Sequence, residues 1–373
     1  MVKILHTADI HLGTKFAMLG NKGIQQRQQL KNTFKNISAI AINEGVNIVL
    51  IAGDLFDSNS QPQGNIDLVV EQFNMLRENN IPVCLIPGNH DPLNPSSIYR
   101  KVSFEQKCPN VTVFTETEVT CKEYPELDLT VYGKPNLSNK SYSSPLKGLK
   151  RVTSTKFHIA LAHGSLYIPG KVSEDDHPFK LEEIHASGMD YIALGHWHRP
   201  YICSDNPPAR YPGPPEWIPD QKEAGSVLVV TFSDSGEAKI ETKRIGVRDY
   251  DEIEVETSEI GSQEELKKEI LTGANQNLIR MVTFKGLRDA ELLVETENLK
   301  AELEGKFFFL RITDESHPKL MEIPEATSQG QLIKARFTKL MKEKIQLSEG
   351  EEKIVAENAL QYGLALLHGK EVL

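Results

Sequence analysis

Five short apolar runs in this 373-residue chain each end on a side chain that binds metals, and that repetition constrains the fold more than any other feature. Ile4-Leu5 leads to Asp9-Ile10-His11, and Ile48 to Ala52 runs into Gly53-Asp54-Leu55-Phe56-Asp57. Val83 to Pro87 precedes Gly88-Asn89-His90-Asp91, Ile159 to Ala162 precedes His163-Gly164, and Tyr191 to Leu194 precedes Gly195-His196-Trp197-His198. Open α/β sheets gather ligands at the carboxyl ends of their strands, so side chains remote in sequence can converge there. Extended backbone directs residues two apart alike, which would let Asp9 and His11 grip one ion and would turn His196 and His198 the same way. Gly53, Gly88, Gly164 and Gly195 fit tight turns that bring backbone close to such ions.

Each block alone has a plainer reading. A histidine at a strand end is ordinarily a hydrogen-bonded structural residue, and Asp after Gly is ordinarily a turn or a helix cap. Five independent strand ends carrying Asp, Asn or His, in mixed nitrogen and oxygen chemistry suited to manganese, iron or zinc, need a common cause.

The rest of the chain supports a layered α/β domain. Strands are expected at Lys3 to Thr7, Asn47 to Ala52, Pro82 to Ile86, His158 to Ala162 and Tyr191 to Leu194. Between the first pair Leu30, Phe34, Ile37, Ile40 and Ala41 recur at helical spacing, and between the next Val69, Phe73 and Leu76 do so. A hairpin of Ser226 to Phe232 and Lys239 to Arg244 closes a large domain over residues 1–247. A small αβ cap follows over 248–315, with strands at Glu252 to Glu256, Ile279 to Phe284 and Phe307 to Ile312 and helices at Gln263 to Leu271 and Asp289 to Leu303. It holds no histidine or cysteine through Ile312, so it offers catalysis no metal ligand or thiol of those types. A polar linker over 316–328, with Pro318 and Pro324, leads to a helical segment over 329–373. Its apolar stripes are Ile333, Phe337, Leu340 and Met341, then Val355, Ala359, Tyr362 and Leu366; they can pack on each other or dock a partner helix.

Composition narrows the function. Forty-two basic against fifty-two acidic residues give a net charge of −10, which argues against a surface that attracts nucleic acid everywhere but leaves room for a local basic path. Cys84, Cys108, Cys121 and Cys203 form no Cys-x-x-Cys pair, so neither a zinc knuckle nor a disulfide scaffold is expected. No run approaches the roughly 18 apolar residues of a membrane span, and the chain enters a strand directly without a signal-like segment, so a cytoplasmic address is expected.

The order Asp-x-His, Gly-Asp, Gly-Asn-His-Asp, single His, Gly-His-x-His resembles the calcineurin-like metallophosphoesterases. Within that superfamily His6 to Gly13, Gly53 to Asp57 and Pro87 to Asp91 are similar to the SbcD branch, the nuclease subunit of DNA double-strand-break repair complexes. Tyr211-Pro212-Gly213-Pro214-Pro215-Glu216 resembles that branch's tyrosine-proline-glycine loop. The resemblance implies a layered β-sandwich flanked by helices, a small αβ cap and C-terminal helices. It implies two divalent cations, one held by Asp9, His11 and His198 and one by Asn89, His163 and His196, with Asp54 bridging. It also implies that His90 sits over the substrate without binding metal and that Asp91 orients its ring. Manganese is the expected metal, with iron, zinc and magnesium as alternatives. DNA and an SbcC-like coiled-coil ATPase, docked on the C-terminal helices, are the implied partners.

Elementary chemistry fits these roles. Two divalent ions about 4 Å apart generate a nucleophile at neutral pH and clamp the oxygens of an in-line phosphoryl displacement. A neutral Asn limits negative charge around the second ion, and a histidine such as His90 can protonate a leaving oxygen for about 10² to 10⁴ in rate. Two residues depart from the pattern. Some relatives carry His where Asp57 stands, so Asp57 is expected to cap a helix or to orient a ligand. Pro214 replaces a frequent Ser and removes a backbone donor and a hydroxyl. DNA-contact candidates are Lys15, with Lys22 and Arg27, then Arg100 and Lys101, and a cluster of Lys140, Lys147, Lys150 and Arg151; each competes with ordinary solvated surface. The competing functions are hydrolysis of small phosphoesters and a catalytically silent DNA-end scaffold, the intact His90-Asp91 pair weighing against the latter. A homodimer through the apolar faces of the early helices competes with their use in the core.

Overall fold

The apolar runs form strands whose side chains alternate between two environments. The computed structural model describes residues 1–219, 221–289, 292, 294–319 and 329–367 and divides the chain into two units, Met1–Tyr250 and Asp251–Leu373. In the first unit the order is β1 (Val2–Thr7), α1 (Lys22–Asn43), β2 (Ile48–Ile51), α2 (Gln63–Glu78), β3 (Val83–Leu85), α3 (Ile98–Lys101), α4 (Phe104–Lys107), β4 (Val111–Val113), β5 (Thr120–Tyr124) and β6 (Leu129–Gly133). Then come β7 (Phe157–His163), α5 (Leu181–Ala186), β8 (Tyr191–Gly195), β9 (Tyr201–Asp205), β10 (Pro208–Tyr211), β11 (Ser226–Phe232) and β12 (Ala238–Arg244).

These strands make two six-stranded sheets, ordered β12-β11-β1-β2-β3-β4 and β5-β6-β7-β8-β10-β9. Strands β1 to β4 run parallel in the first sheet, and β6 to β8 run parallel in the second. Parallel neighbours need crossovers, and α1 and α2 supply those between β1, β2 and β3. The sheets meet in one apolar cluster: Ile4, Ile48, Leu50 and Cys84 from the first, Val131, Ile159, Leu161, Tyr191 and Ala193 from the second. The other face of the second sheet is covered by Phe179, Met189 and Ile184 of α5, packed with Ala160, Ala162, Ile192 and Leu194. The stripes of α1 and α2, including Leu30, Phe34, Ile37, Val69, Phe73 and Leu76, are buried, so these faces serve the core and not a dimer surface. The four cysteines are free thiols.

Strand β13 (Asp249–Glu256) starts two residues before the second unit, which goes on with α6 (Gln263–Leu271), β14 (Leu278–Lys285), β15 (Leu287–Arg288), α7 (Thr296–Leu303), β16 (Phe309–Asp314), β17 (His317–Pro318), α8 (Gln329–Leu347) and α9 (Glu351–Leu367). Its three-stranded sheet, β13-β14-β16, shares a core with Leu266 and Ile270 of α6 and Leu299 and Leu303 of α7. Of the helix expected over 289–303, Thr296–Leu303 is helical, and 290, 291 and 293 lie outside the described residues. The linker proposed over 316–328 lies largely outside the described residues, as do 368–373. In α9 the buried stripe is Ala356, Leu360 and Leu364, while Val355, Ala359 and Leu366 of the expected stripe are exposed. That helix has apolar residues on both faces, so spacing alone did not fix which face packs. Phe337 of α8 lies so close to Gly363 that a Cβ there would collide with its ring.

Two buried polar groups hold the first unit together. His6 lies on the inner face of β1, with Nδ1 2.9 Å from the Tyr191 hydroxyl and Nε2 3.2 Å from the Leu194 carbonyl of the opposite sheet. A carbonyl only accepts, so Nε2 carries the proton and Nδ1 takes the tyrosine's. Glu216, fully buried, accepts from the Thr33 hydroxyl at 2.8 Å and from the backbone N–H groups of Trp217, Val247 and Arg248, each at 3.0 Å. It ties the proline-rich loop to α1 and to the chain beyond β12.

Burial lowers the His6 imidazole from 6.5 to about 3. Unfolding therefore takes up a proton below pH 6.5 that the folded ring refuses until about 3. The ring's contribution is complete above 6.5 and is lost as pH falls, by about 1.4 kcal/mol per pH unit. Other groups titrate alike in both proteins, so the stabilities of wild type and His6→Asn from urea denaturation between pH 7 and 4.5 should differ in slope by this one proton. Glu216→Ala strands three backbone donors, each worth about 1–3 kcal/mol when buried unpaired. Its urea midpoint should fall by several kcal/mol equivalent, and that of Glu216→Gln by less.

Candidate metal centre

Because β1, β2 and β3 of one sheet and β7 and β8 of the other end at the same rim, their following residues meet. The backbone is stitched there: Asp9 N–H donates to the Gly53 carbonyl at 3.2 Å, His11 N–H to the Asp54 carbonyl at 3.0 Å, and Gly164 N–H to the Gly195 carbonyl at 3.2 Å. The donor atoms of Asp9, His11, Asp54 and His198 lie within 4.8 Å of one another. Beside them, Asn89 Oδ1 is 2.7 Å from His163 Nε2 and 2.8 Å from His196 Nδ1. Asp54 stands between the groups, its Oδ2 3.2 Å from His163 Nε2 and 3.7 Å from His11 Nε2. All seven side chains expected as ligands are thus brought together.

The means differ from alternation along a strand. Asp9 and His11 have φ of 54° and 52°, Asp54 50° and His196 104°, so they are aimed by left-handed backbone. Four of the eight non-glycine residues with positive φ among the described residues are candidate ligands, the concentration of strain expected where geometry is functional. His196 and His198 also diverge: His196 joins Asn89, and His198 Nε2 lies 3.0 Å from His11 Nε2. Close approach fixes the glycines. A Cβ at Gly88 would strike Asp54 Oδ1, and one at Gly53 would strike the His163 ring.

The electrostatics call for positive charge. Asp9, Asp54 and Asp91 are all fully buried. Burial pushes Asp9 up to about 6, with Asp54 adding to it. Asp91 is raised to about 6 by the same two causes. Burial would also raise Asp54, but His163 and His11 hold it well below the usual carboxylate range. In turn Asp54 and Asp9 outweigh burial at His163 and raise it to about 9. Burial, with His11 beside it, lowers His198 to about 2.

One atom is left over. Asp54 Oδ2 is buried and accepts no hydrogen bond among the described residues. It faces imidazole nitrogens of two rings with acceptors behind them: His163 is hydrogen-bonded to the Ala52 carbonyl at 2.8 Å, and His11 Nδ1 lies at ion-pair distance, 3.6 Å, from Asp57 Oδ1. His198 Nδ1 lies 2.8 Å from the Gln221 amide. Imidazole nitrogens, two carboxylates and an amide oxygen gathered in one place are a donor set that fits a pair of divalent cations.

The neighbouring residues were expected differently in part. Asp91 does not orient His90; its oxygens accept from Gly88 N–H at 2.7 Å, Phe56 N–H at 3.0 Å and the Tyr99 hydroxyl at 2.6 Å. It holds the loop that carries Asn89. The His90 ring stands edge-on to His11, centroids 4.6 Å apart, and its backbone N–H donates to Asp54 Oδ1 at 2.8 Å. Asp57 caps no helix, since α2 begins only at Gln63 after Pro62; it accepts from the Thr14 hydroxyl at 3.0 Å behind His11. Tyr211 of the proline-rich loop donates to the Gly164 carbonyl at 2.8 Å and stacks on Trp197. Lys15, Arg100 and Lys101 are exposed, whereas Lys140 and Arg151 are paired with Asp175 and Asp190 at 2.8 and 2.7 Å. Sequence reading missed Asp176, whose Oδ1 lies 2.9 Å from His196 Nε2; it sits in an acidic run that reads as solvated loop. Asp176, His196, Trp197, His198 and Arg199 line a cavity of about 720 Å³ beside the centre.

Comparison with known proteins gives the family. The uncharacterized metallophosphoesterase YhaO of Bacillus subtilis is 31% identical over 219 residues, 56% of this chain and 52% of YhaO. The SbcD component of the nuclease SbcCD of Staphylococcus epidermidis is 23% identical over 348 residues, 85% of this chain and 80% of that protein. DNA double-strand break repair protein Mre11 of Sulfolobus acidocaldarius is 27% identical over 202 residues, 53% of this chain and 50% of Mre11. The chain thus spans about half the length of YhaO and of this Mre11, and more of the staphylococcal SbcD. The family described as calcineurin-like phosphoesterase matches residues 2–200, more than half of the sequence, and the chain belongs to that family.

Proposed function

We propose that this chain is a metal-dependent phosphodiesterase acting on DNA, with exo- and endonuclease activity, and that it works as an SbcD-like subunit of a DNA repair complex. The observation that carries the catalytic part is the buried Asp54 Oδ2, which accepts no hydrogen bond among the described residues and lies at ion-pair distance from the His163 and His11 imidazoles. In this reading Asp9, His11 and His198 hold one cation, Asn89, His163 and His196 hold the other, and Asp54 is shared. Bound there, two divalent ions, manganese by preference, supply a nucleophile at neutral pH and positive charge for in-line displacement at phosphorus.

The protein's own residues position the rest. Asp57 holds the outer nitrogen of His11, and Asp91 fixes the backbone at Gly88 and Phe56. His90 is the solvent-facing member. Burial lowers its imidazole from the ordinary value, so at neutral pH it is uncharged and donates an N–H toward the leaving oxygen.

DNA as substrate is supported by the likeness to the staphylococcal SbcD, which extends through 85% of this chain and so beyond the metal-bearing unit. Lys15, Arg100 and Lys101 are proposed phosphate contacts. The exposed Leu332, Ile333, Leu340 and Leu347 of α8 and Val355 and Leu366 of α9 support docking of an SbcC-like coiled-coil ATPase. Among the described residues no helix is long and apolar enough to cross a membrane, and the proposed setting is the cytoplasm.

Manganese at a hundredfold over its dissociation constant should stabilise the wild type by about 2.7 kcal/mol for each site it fills. Thermal unfolding with manganese against EDTA reads this gain, and Asp54→Asn should lose most of it. Incubated with manganese, the wild type should degrade linear duplex DNA, and His90→Ala should slow this about 10²- to 10⁴-fold while keeping the metal-dependent stabilisation. A parallel panel of phosphomonoesters and cyclic nucleotides sets the substrate class. Strong preference for a monoester, or cleavage unchanged by His90→Ala, contradicts the proposal.

A further inference from the structure

We infer that Asp176 is a positioning residue: it fixes the tautomer of His196 and thereby aims His196 Nδ1 at the second cation. The inference rests on the reading of His196 as a metal ligand. Three hydrogen bonds in series carry it. The Trp197 indole N–H donates to Ser165 Oγ at 2.9 Å, Ser165 Oγ donates to Asp176 Oδ2 at 2.6 Å, and Asp176 Oδ1 is 2.9 Å from His196 Nε2.

Every proton in this series is assigned by what the groups can do. An indole N–H only donates, so Ser165 accepts from it and turns its own proton to the carboxylate. An ionised carboxylate only accepts, so His196 Nε2 carries a proton, and in the neutral ring, the form that binds metal, Nδ1 presents a lone pair. That lone pair faces Asn89 Oδ1, another acceptor, at 2.8 Å. Two lone pairs at that distance repel unless a cation lies against both. With the opposite tautomer, Nδ1–H would donate to Asn89 and close the position to metal.

Asp176 is itself held by backbone. It bridges Ser141, and the next residue, His177, has φ 50° and accepts the Ser165 N–H at 3.2 Å. Phe179 N–H donates to the Ser165 carbonyl at 2.9 Å, and a Cβ on Gly164 would collide with the His177 carbonyl. The far end of the series is equally fixed, because Trp197 is stacked on Tyr211 with ring centroids 5.1 Å apart. The loop that carries Asp176 is therefore clamped to the residues following His163.

The test is manganese titration of the metal-free full chain by calorimetry, with ¹⁵N-histidine NMR of the same samples in EDTA. Wild type should bind two ions and show a His196 Nε2–H resonance. Asp176→Ala should weaken one of the two sites about 10- to 100-fold, spare the other and lose that resonance, with its EDTA unfolding midpoint near wild type. Ser165→Ala, which releases only one oxygen of Asp176, should shift the same site in the same direction by less. Wild-type affinity at both sites in Asp176→Ala overturns the inference, as does loss of both sites together with a lowered EDTA midpoint, which would make Asp176 a purely structural residue. His196→Ala separates the levels: if it too binds two ions as wild type does, the ligand assignment of His196 is at fault; if it loses one while Asp176→Ala loses none, only the role of Asp176 is.

Discussion

The burial of Asp54 among imidazoles is the interaction on which the rest of the molecule depends. A carboxylate withdrawn wholly from water is tolerated only with compensating charge close by. Without a cation the protein meets that demand with a proton, drawing His163 up to about 9. A divalent ion bound there would do the same and would displace that proton, since an imidazole must be neutral to bind metal. Metal occupancy and the stability of this rim are therefore one equilibrium seen from two sides.

Two facing sheets make such a centre practical. Each contributes parallel strands whose ends reach one rim, so candidate ligands separated by nearly two hundred positions, such as Asp9 and His196, are a hydrogen bond apart at 2.9 Å. The hydrophobic sandwich behind them, with His6 bonded across it, keeps the sheets in fixed relation. Strain sits at the rim and packing sits behind it. Left-handed backbone at Asp9, His11, Asp54 and His196 persists because the stitched loops and the glycine contacts leave it no alternative.

Much of this was legible in the sequence, for definite reasons. A strand that ends in a ligand leaves two signals at once, an apolar run and an abrupt polar residue, and five repetitions removed the ambiguity of each. What sequence could not supply was direction. Alternation suggested that Asp9 and His11 share an orientation through extended backbone, yet both are left-handed; it suggested that His196 and His198 point alike, yet they serve different neighbours. Asp91 follows His90 directly, which invited a pairing, but its oxygens are taken by Phe56, Gly88 and Tyr99. Asp176 left no signal, because an acid among acids in a loop reads as solvent-facing until its histidine is found beside it. In α9, apolar residues on two faces hid which stripe packs.

The most direct test of the central claim is anomalous diffraction at the manganese absorption edge from crystals of the full chain grown with manganese. The account predicts two peaks about 4 Å apart, one on each side of Asp54, the first among Asp9, His11 and His198 and the second among Asn89, His163 and His196. A single peak, or peaks only at surface carboxylates with Asp54 Oδ2 still unpartnered, would contradict it.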